Sequence, residues 1–428
     1  MRIFHPLMLS NTVNIIAGID SLQELEPLLL NMDCKNPFVI MSKGASTSGV
    51  GDMFIKDNRA EVLSVQYTTV IVSTTEISTT SVNSLVEQYK VGRCDSLIAL
   101  GGGTIIDLVK LVKLSLLGIP TAQVHYEGTC ILEEEERALP NLPLIAIPTT
   151  IGSGSGASQV AYVYSPEVNR PLRFDHHALL PHSVILDPKL SKTVPSIQTA
   201  MSVAAILGRA MESITSALSG PVSESYACHA LRLLHEHSFR VIHTPHDLEA
   251  RLGIAIASHL VGIATSMTRG GLAHVTALTL EKIVHIPYGQ SMLIMLPHTL
   301  RYISDSSTEA LERMAITVGI CEKKPDKNSQ QLVADALEGI TWVNNFLTNI
   351  TASMSPALPR KFYDILDNEK KQRLLRPEQL EDFASKILDN TDLLSNKRLP
   401  TLSEIVSILE AAYWGYPLNQ DTSREYTI

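Results

Sequence analysis

A chain of 428 residues with 45% hydrophobic and 18% charged side chains is too apolar to be disordered, and it is too long for one ordinary core, so two domains are expected. A net charge of −9 and a pI near 5.9, with no lysine- or arginine-rich block, argue against a nucleic-acid partner. Five scattered cysteines (Cys34, Cys94, Cys130, Cys228, Cys321) without a CxxC pair fit buried free thiols in a reducing cytoplasm better than a disulfide frame or zinc knuckle.

The chain opens on "MRIFHPLMLSNTV", a short apolar stretch broken by His5 and Pro6 with no small-residue cleavage pattern, so no secretory signal is read there. Short β-branched runs then recur at "VNIIAG", "PFVIM", "TTVIV", "SLIAL", "PLIAI", "VAYVY" and "SVILD". Helical patterns such as "SLQELEPLLLNM" and "SVNSLVEQYKVG" separate several of them, which predicts a largely parallel α/β sheet. The acidic run "LEEEER" (132–137) reads as a solvated loop or helix start.

Two of the strands end in glycine-rich turns. "SLIALGGGTIIDLVK" (96–110) is a buried strand, then Gly101, Gly102 and Gly103, then a helix opening on Thr104. Glycines permit positive φ and close backbone approach, and a helix N-terminus offers free N–H groups and a positive dipole end, which suits a pyrophosphate. The pattern is not GxGxxG, and a tight βα turn without a ligand is the plainer alternative. "PLIAIPTTIGSGSGAS" (143–158) repeats the design with Thr149, Thr150 and Ser153. Two such loops at the carboxyl edge of one sheet favour a dinucleotide.

After Pro195 the strand pattern stops and helical periods take over. The expected fold is an α/β domain with a mainly parallel, Rossmann-like sheet over 1–190, followed by an all-α domain over 191–428, with a ligand cleft between them. "SVAAILGRAMES" (202–213) places Ala205, Arg209 and Glu212 on one helical face, where an Arg209–Glu212 ion pair on a half-exposed surface is one reading. "LGIAIASHLVGIATSM" (252–267) carries His259 and falls short of the roughly 18 apolar residues of a membrane span, so no membrane partner is expected.

Several stretches, taken in order, resemble the iron-containing alcohol dehydrogenase family. "GGGTIIDLVK" is similar to its GGGSxxDxAK, "IPTTIGSGSGAS" to its PTTxGTGSE, and "GIATSMTRGGLAH", "HIPYGQSMLIMLPHTLRY" and "SNKRLPTLSEIVSILEAAYWG" to its later helices. The resemblance implies a nicotinamide cofactor held by these loops with Asp107, a small-molecule substrate, and a homodimer. It also implies one divalent metal on an aspartate and three histidines, whose matched positions here are Ala205, Arg209, Leu278 and Tyr288. A guanidinium has no lone pair to give, and alanine and leucine have no donor, so no catalytic metal is expected. The histidine pairs His176/His177 and His235/His237 are read as surface residues rather than substitutes.

Other departures from the family are Gly156, in place of its glutamate, and Ser42 with Lys43, where NAD-preferring members carry a ribose-binding aspartate. Losing that carboxylate removes repulsion toward a 2′-phosphate, so NADP is at least as acceptable as NAD; a plain turn cap is the other reading of Ser42. Without a metal, Arg209 and Tyr288 become candidate donors to an oxyanion or an anionic substrate, and His274 a candidate proton relay or a core histidine. His285, just before Pro287, is a weaker candidate. Three functions remain in view: a metal-independent NAD(P)H-dependent reductase, a nucleotide-binding scaffold without turnover, and a redox-neutral enzyme with a reshaped pocket.

Overall fold

The protein is described from a computed structural model. It covers residues 13–57, 65, 67–72, 78–119, 142–165, 170–324, 326–367 and 370–416; residues 1–12, Cys130 and the acidic run 132–137 lie outside these. The chain divides into two compact units, Met1–Pro195 with Thr244–Ser266, and Ser196–His243 with Met267–Ile428.

The first unit is built on β1 (Asn14–Ala17), α1 (Leu25–Asn31), β2 (Pro37–Ser42), α2 (Lys43–Thr47), α3 (Val50–Asp57), β3 (Thr68–Val72) and α4 (Thr79–Val91). It continues with β4 (Ser96–Gly101), α5 (Gly103–Leu116), β5 (Leu144–Pro148), β6 (Val160–Ser165), β7 (Arg170–Asp175) and β8 (Ser183–Leu186). Six strands form one parallel sheet in the order β1-β8-β5-β4-β2-β3.

Both faces of the four inner strands β8, β5, β4 and β2 are buried, which is why they read as continuous apolar runs rather than alternating ones, while the edge strands β1 and β3 are partly exposed. Phe38, Ile40, Leu97, Ala99, Leu144 and Ala146 meet α4 and α5 on one face. Their neighbours Val39, Met41, Ile98, Leu100, Ile145 and Ile147 meet α1 and α3 on the other. "VAYVY" does not join this sheet. It becomes β6, paired antiparallel with β7 in a separate two-stranded ribbon. Its partner "RPLRFD" is too polar to announce a buried strand, so the pairing left no signal in the sequence pattern.

The second unit is helical: α6 (Ser196–Thr215), α7 (Pro221–His243), α9 (Leu272–Val284), α10 (Tyr288–Tyr302), α11 (Thr308–Thr317), α12 (Ser329–Ala352), α13 (Leu380–Leu388) and α14 (Leu402–Trp414). Helix α6 packs on α7, α9 and α10 within this unit. Gly208 of α6 and Gly289 of α10 allow a close crossing: a Cβ on the first would lie 2.1 Å from Met292 Cε, and one on the second 2.2 Å from the Met201 carbonyl oxygen.

The remaining helix, α8 (Leu248–Thr268), is long and apolar enough by composition to cross a membrane, but 67% of its apolar window is buried. Its body lies in the first unit, where Gly262 approaches Gly154 so closely that a Cβ on Gly262 would meet the Gly154 carbonyl oxygen at 2.2 Å. That is a core-helix contact, and it accounts for the apolar composition.

Candidate functional site

The register of the parallel sheet brings the two glycine-rich turns together. Gly101, the last residue of β4, pairs with Pro148, the last of β5, so both turns leave the sheet edge side by side. The Thr149 N–H donates to the Gly101 carbonyl at 3.0 Å and locks them. None of Gly101, Gly102 and Gly103 has a positive φ, so the expectation that they relieve a left-handed turn is not met. Gly101 is small because a Cβ there would lie 2.8 Å from Ile105 Cβ, and Gly102 and Gly103 because the second turn lies against the first. A Cβ on Gly102 would meet Thr150 Oγ1 at 3.1 Å, and one on Gly103 would meet Ser153 Cβ at 2.4 Å. Gly102 is also the N-cap of α5 and has no side-chain cap, which leaves first-turn N–H groups without a side-chain acceptor. Thr104, in that first turn, is partly buried. A backbone-lined cradle at the N-terminus of a fourteen-residue helix fits phosphate oxygens.

Asp107 lies one turn into α5 and is engaged with protein groups. It accepts from the Ser155 hydroxyl and, at 3.3 Å, from the Tyr162 N–H. Lys110, fully buried, places Nζ 3.8 Å from Asp107 Oδ1 and donates to Val160 O at 2.8 Å and to the Ser155 and Ser158 hydroxyls at 3.2 Å each. Ser42 accepts from the Ala45 N–H at 3.0 Å and caps α2, with the exposed Lys43 beside it.

A recess in the first unit is lined by Thr150, Ser153, Gly154, Ser258 and His259, among others. The Ser258 hydroxyl accepts from the Gly154 N–H at 2.9 Å. His259 is buried, its Nε2 has no hydrogen-bond partner among the described residues, and burial pushes its pKa down to about 4. In the sequence His259 stands only as an interruption in an apolar run. Its placement depends on α8 folding back onto the first unit, a long-range contact that local pattern does not announce.

In the second unit Arg209, His274 and Tyr288 gather around Glu212. His274 Nδ1 and the Tyr288 hydroxyl share a hydrogen bond of 2.7 Å. Thus the side chain that α9 brings to position 288 is His274, one turn before Leu278. Burial raises the Tyr288 phenol far above its ordinary pKa, and the Arg209 charge opposes that shift. The phenol is therefore a neutral hydroxyl at any working pH.

Glu212 corrects the half-exposed face expected for this stretch. It is 7% exposed, and its Oε1 accepts from the Ala273 N–H at 2.8 Å and the His274 N–H at 3.1 Å. The carboxyl thus caps the first turn of α9, whose own N-cap, Gly271, has no side chain to do so. Burial raises the Glu212 pKa to about 7, against the pull of the His274, Gly271 and Ala273 backbone N–H groups and of Arg209. The requirement for this cap was the signal available in the sequence: a glycine pair, Gly270–Gly271, stands before an apolar helix with no capping side chain of its own.

The four positions matched to a metal-binding set offer poor donors. Ala205 and Leu278 have none, Arg209 carries a guanidinium, and Tyr288 holds a buried neutral phenol already bonded to His274. The histidine pairs differ from expectation in burial. His176 is buried, its Nδ1 accepting from the Ala178 N–H at 3.0 Å, and His237 is buried on the inner side of α7; His177 and His235 are exposed. Among the described residues Cys321, Asp335 and Glu338 also lie close together. There Lys327 already pairs with Asp335 at 2.5 Å and with Glu312 at 2.7 Å.

Comparison with known proteins covers both halves of the chain. Residues 12–188 match the family described as iron-containing alcohol dehydrogenase, and residues 199–413 match the C-terminal domain of the Fe-containing alcohol dehydrogenase family. The chain is 32% identical to "Probable alcohol dehydrogenase EutG" of Escherichia coli (strain K12) over 52% of its length, a match spanning 55% of that protein. It is 28% identical to long-chain-alcohol dehydrogenase 1 of Geobacillus thermodenitrificans over 93% of its length and 94% of that protein's. An alcohol dehydrogenase structure from Oenococcus oeni superposes with a TM-score of 0.81 at 21% identity, covering 96% of this chain and all of that one.

Proposed function

The chain belongs to the iron-containing alcohol dehydrogenase family, and from that membership we propose that it is an NAD(P)H-dependent reductase of a small, anionic carbonyl compound, working without a divalent metal. The single observation behind this reading is the grouping of Arg209 and Tyr288, at two positions where the resemblance places metal ligands, with His274, which is hydrogen-bonded to Tyr288. A cation that cannot itself ligate a metal takes over the electrostatic work that a Lewis acid would do there.

In this reading Gly101, Gly102, Gly103, Thr104, Thr149, Thr150 and Ser153 cradle the pyrophosphate through backbone N–H and hydroxyl groups, and Asp107 and Lys110 hold the second turn in place through Ser155. Ser42 and Lys43 accept either adenosine ribose, since no carboxylate at that position repels a 2′-phosphate. A nicotinamide held by this cradle would supply the hydride; the residues of this chain act on the carbonyl oxygen. Arg209 stabilises the negative charge that develops on the carbonyl oxygen, a kind of donor worth on the order of 10²- to 10³-fold in rate. The Tyr288 hydroxyl delivers the proton to that oxygen, and His274 replaces it through Nδ1. The same Arg209 charge favours substrates carrying a carboxylate or sulfonate.

Titrating metal-assayed protein with NADPH and NADH, followed by nicotinamide fluorescence, tests the cofactor site. A screen of keto acids and aldehydes follows, with Arg209→Ala expected to lower kcat/KM by about 10²- to 10³-fold. No binding of either nucleotide would sink the reductase reading. Turnover that appears only after adding a divalent metal would remove the metal-independent part.

A further inference from the structure

Glu212 is the one carboxylate buried among the residues of the second-unit group just described, and its arrangement is unusual on three counts. It sits one helical turn after Arg209 on α6, yet Oε1 is bonded across to another helix, accepting the Ala273 and His274 N–H groups at 2.8 and 3.1 Å. The second of these belongs to the residue whose ring meets Tyr288. Oε2 is buried and has no hydrogen-bond partner among the described residues. Finally, Gly271 is kept small for this carboxyl. Its φ of −100° needs no glycine, but a Cβ there would lie 2.6 Å from Oε1.

We propose that Glu212 is a positioning residue: by capping the first turn of α9 from α6, it fixes the His274 ring relative to Arg209. The helix that carries the charge and the helix that carries the proton relay are joined at this point by two backbone N–H groups donating to one carboxyl oxygen. The cap fills the positive end of α9, so that end is not available to an anion. Loss of the cap lets the first turn of α9 fray and moves His274 with it, and misplacement of a catalytic group by about 1 Å costs on the order of 10²-fold. This role rests on the reductase reading only for its kinetic consequence.

Three variants and two measurements test it. Glu212→Ala is expected to lower kcat by about 10- to 100-fold while leaving the nucleotide KM unchanged, because the cofactor cradle belongs to the first unit. Glu212→Gln keeps a carbonyl oxygen for both N–H groups and is expected to restore kcat to within about threefold of wild type. Gly271→Ala, whose Cβ must displace the carboxyl, is expected to reproduce the Glu212→Ala loss. Amide hydrogen exchange at Ala273 and His274 reads the same cap without turnover: fast in the Ala variants, slow in Glu212→Gln and wild type. A folded Glu212→Ala protein with wild-type kcat, or a Gln variant no better than the Ala variant, overturns the proposal. If wild type reduces no carbonyl at all, exchange alone decides, and unchanged protection at both amides in Glu212→Ala overturns it.

Discussion

The glycine turns of the first unit and the Glu212 group of the second use the same residue type for opposite ends. After β4 and β5, small residues clear space between two backbone segments: Gly102 and Gly103 admit Thr150 and Ser153, and Gly154 admits Gly262. What results is an N–H-lined cradle whose charged groups, Asp107 and Lys110, are turned inward and satisfied by neighbours. In the second unit Gly271 clears space for a carboxyl, and that carboxyl keeps one oxygen without a partner among the described residues. In neither place does positive φ decide the matter, except at Gly154, whose φ is +59°. A cradle built from satisfied groups binds by shape and backbone dipoles. The second-unit group instead holds a raised carboxyl and a buried phenol beside a guanidinium, the perturbed groups on which the proposed reductase reading rests.

The comparison breaks first at Lys110. If its ammonium is structural, Lys110→Met leaves Asp107 and the Val160 carbonyl without their buried partner and costs about 3–5 kcal/mol, the range for removing one member of a buried pair. Thermal or urea unfolding at pH 7 reads this directly. A variant as stable as wild type would mean that the network contributes nothing, and that the second glycine turn is held by packing alone.

Glu212 gives the next largest effect, and one with a defined sign. Its folded pKa is raised to about 7 from the ordinary glutamate value near 4.5, so between those values the unfolded chain binds fewer protons than the folded one. Stability from this group is therefore fully present below about pH 4.5 and is lost as pH rises through about 7, a change on the order of 3 kcal/mol. His176, His182, His259 and His298, each pushed down to about 4 chiefly by burial, act in the opposite direction. The diagnostic quantity is thus the difference between wild type and Glu212→Gln, measured by urea unfolding at pH 5, 6, 7 and 8. Parallel curves across that range would show that the carboxyl titrates normally.

Much of this molecule can be read from local pattern, and what escapes has a common cause. Apolar runs locate the inner parallel strands because both of their faces are buried, and the glycine turns stand out because they follow such runs directly. Ribbon β6–β7 escapes because Arg170, Arg173 and Asp175 interrupt the hydrophobic pattern of the second strand. The tie between Gly154 and Gly262, the Glu212 cap on α9 and the bond between His274 and Tyr288 escape for another reason. Each joins residues far apart in sequence, and the side chains involved look ordinary within their own helices. Arg209 was conspicuous because it stood alone in an apolar stretch. Glu212, three residues on, looked like its surface partner, and only the position of α9 shows what its carboxyl holds.

The smallest expected effect separates two roles at Ser42. Its hydroxyl caps α2, a helix of five residues, through the Ala45 N–H at 3.0 Å. Replacing such a cap by alanine costs about 1 kcal/mol. If capping is its whole role, Ser42→Ala lowers the unfolding free energy by that amount and leaves the affinities for NADH and NADPH in their wild-type ratio. If the hydroxyl also meets the adenosine ribose, the ratio shifts, because a 2′-hydroxyl and a 2′-phosphate present different partners to the same oxygen. Lys43→Ala run alongside completes the test, since an exposed ammonium beside the cap contributes little to folding. A fall in NADPH affinity alone would assign phosphate recognition to Lys43 and leave Ser42 as the residue that starts the helix.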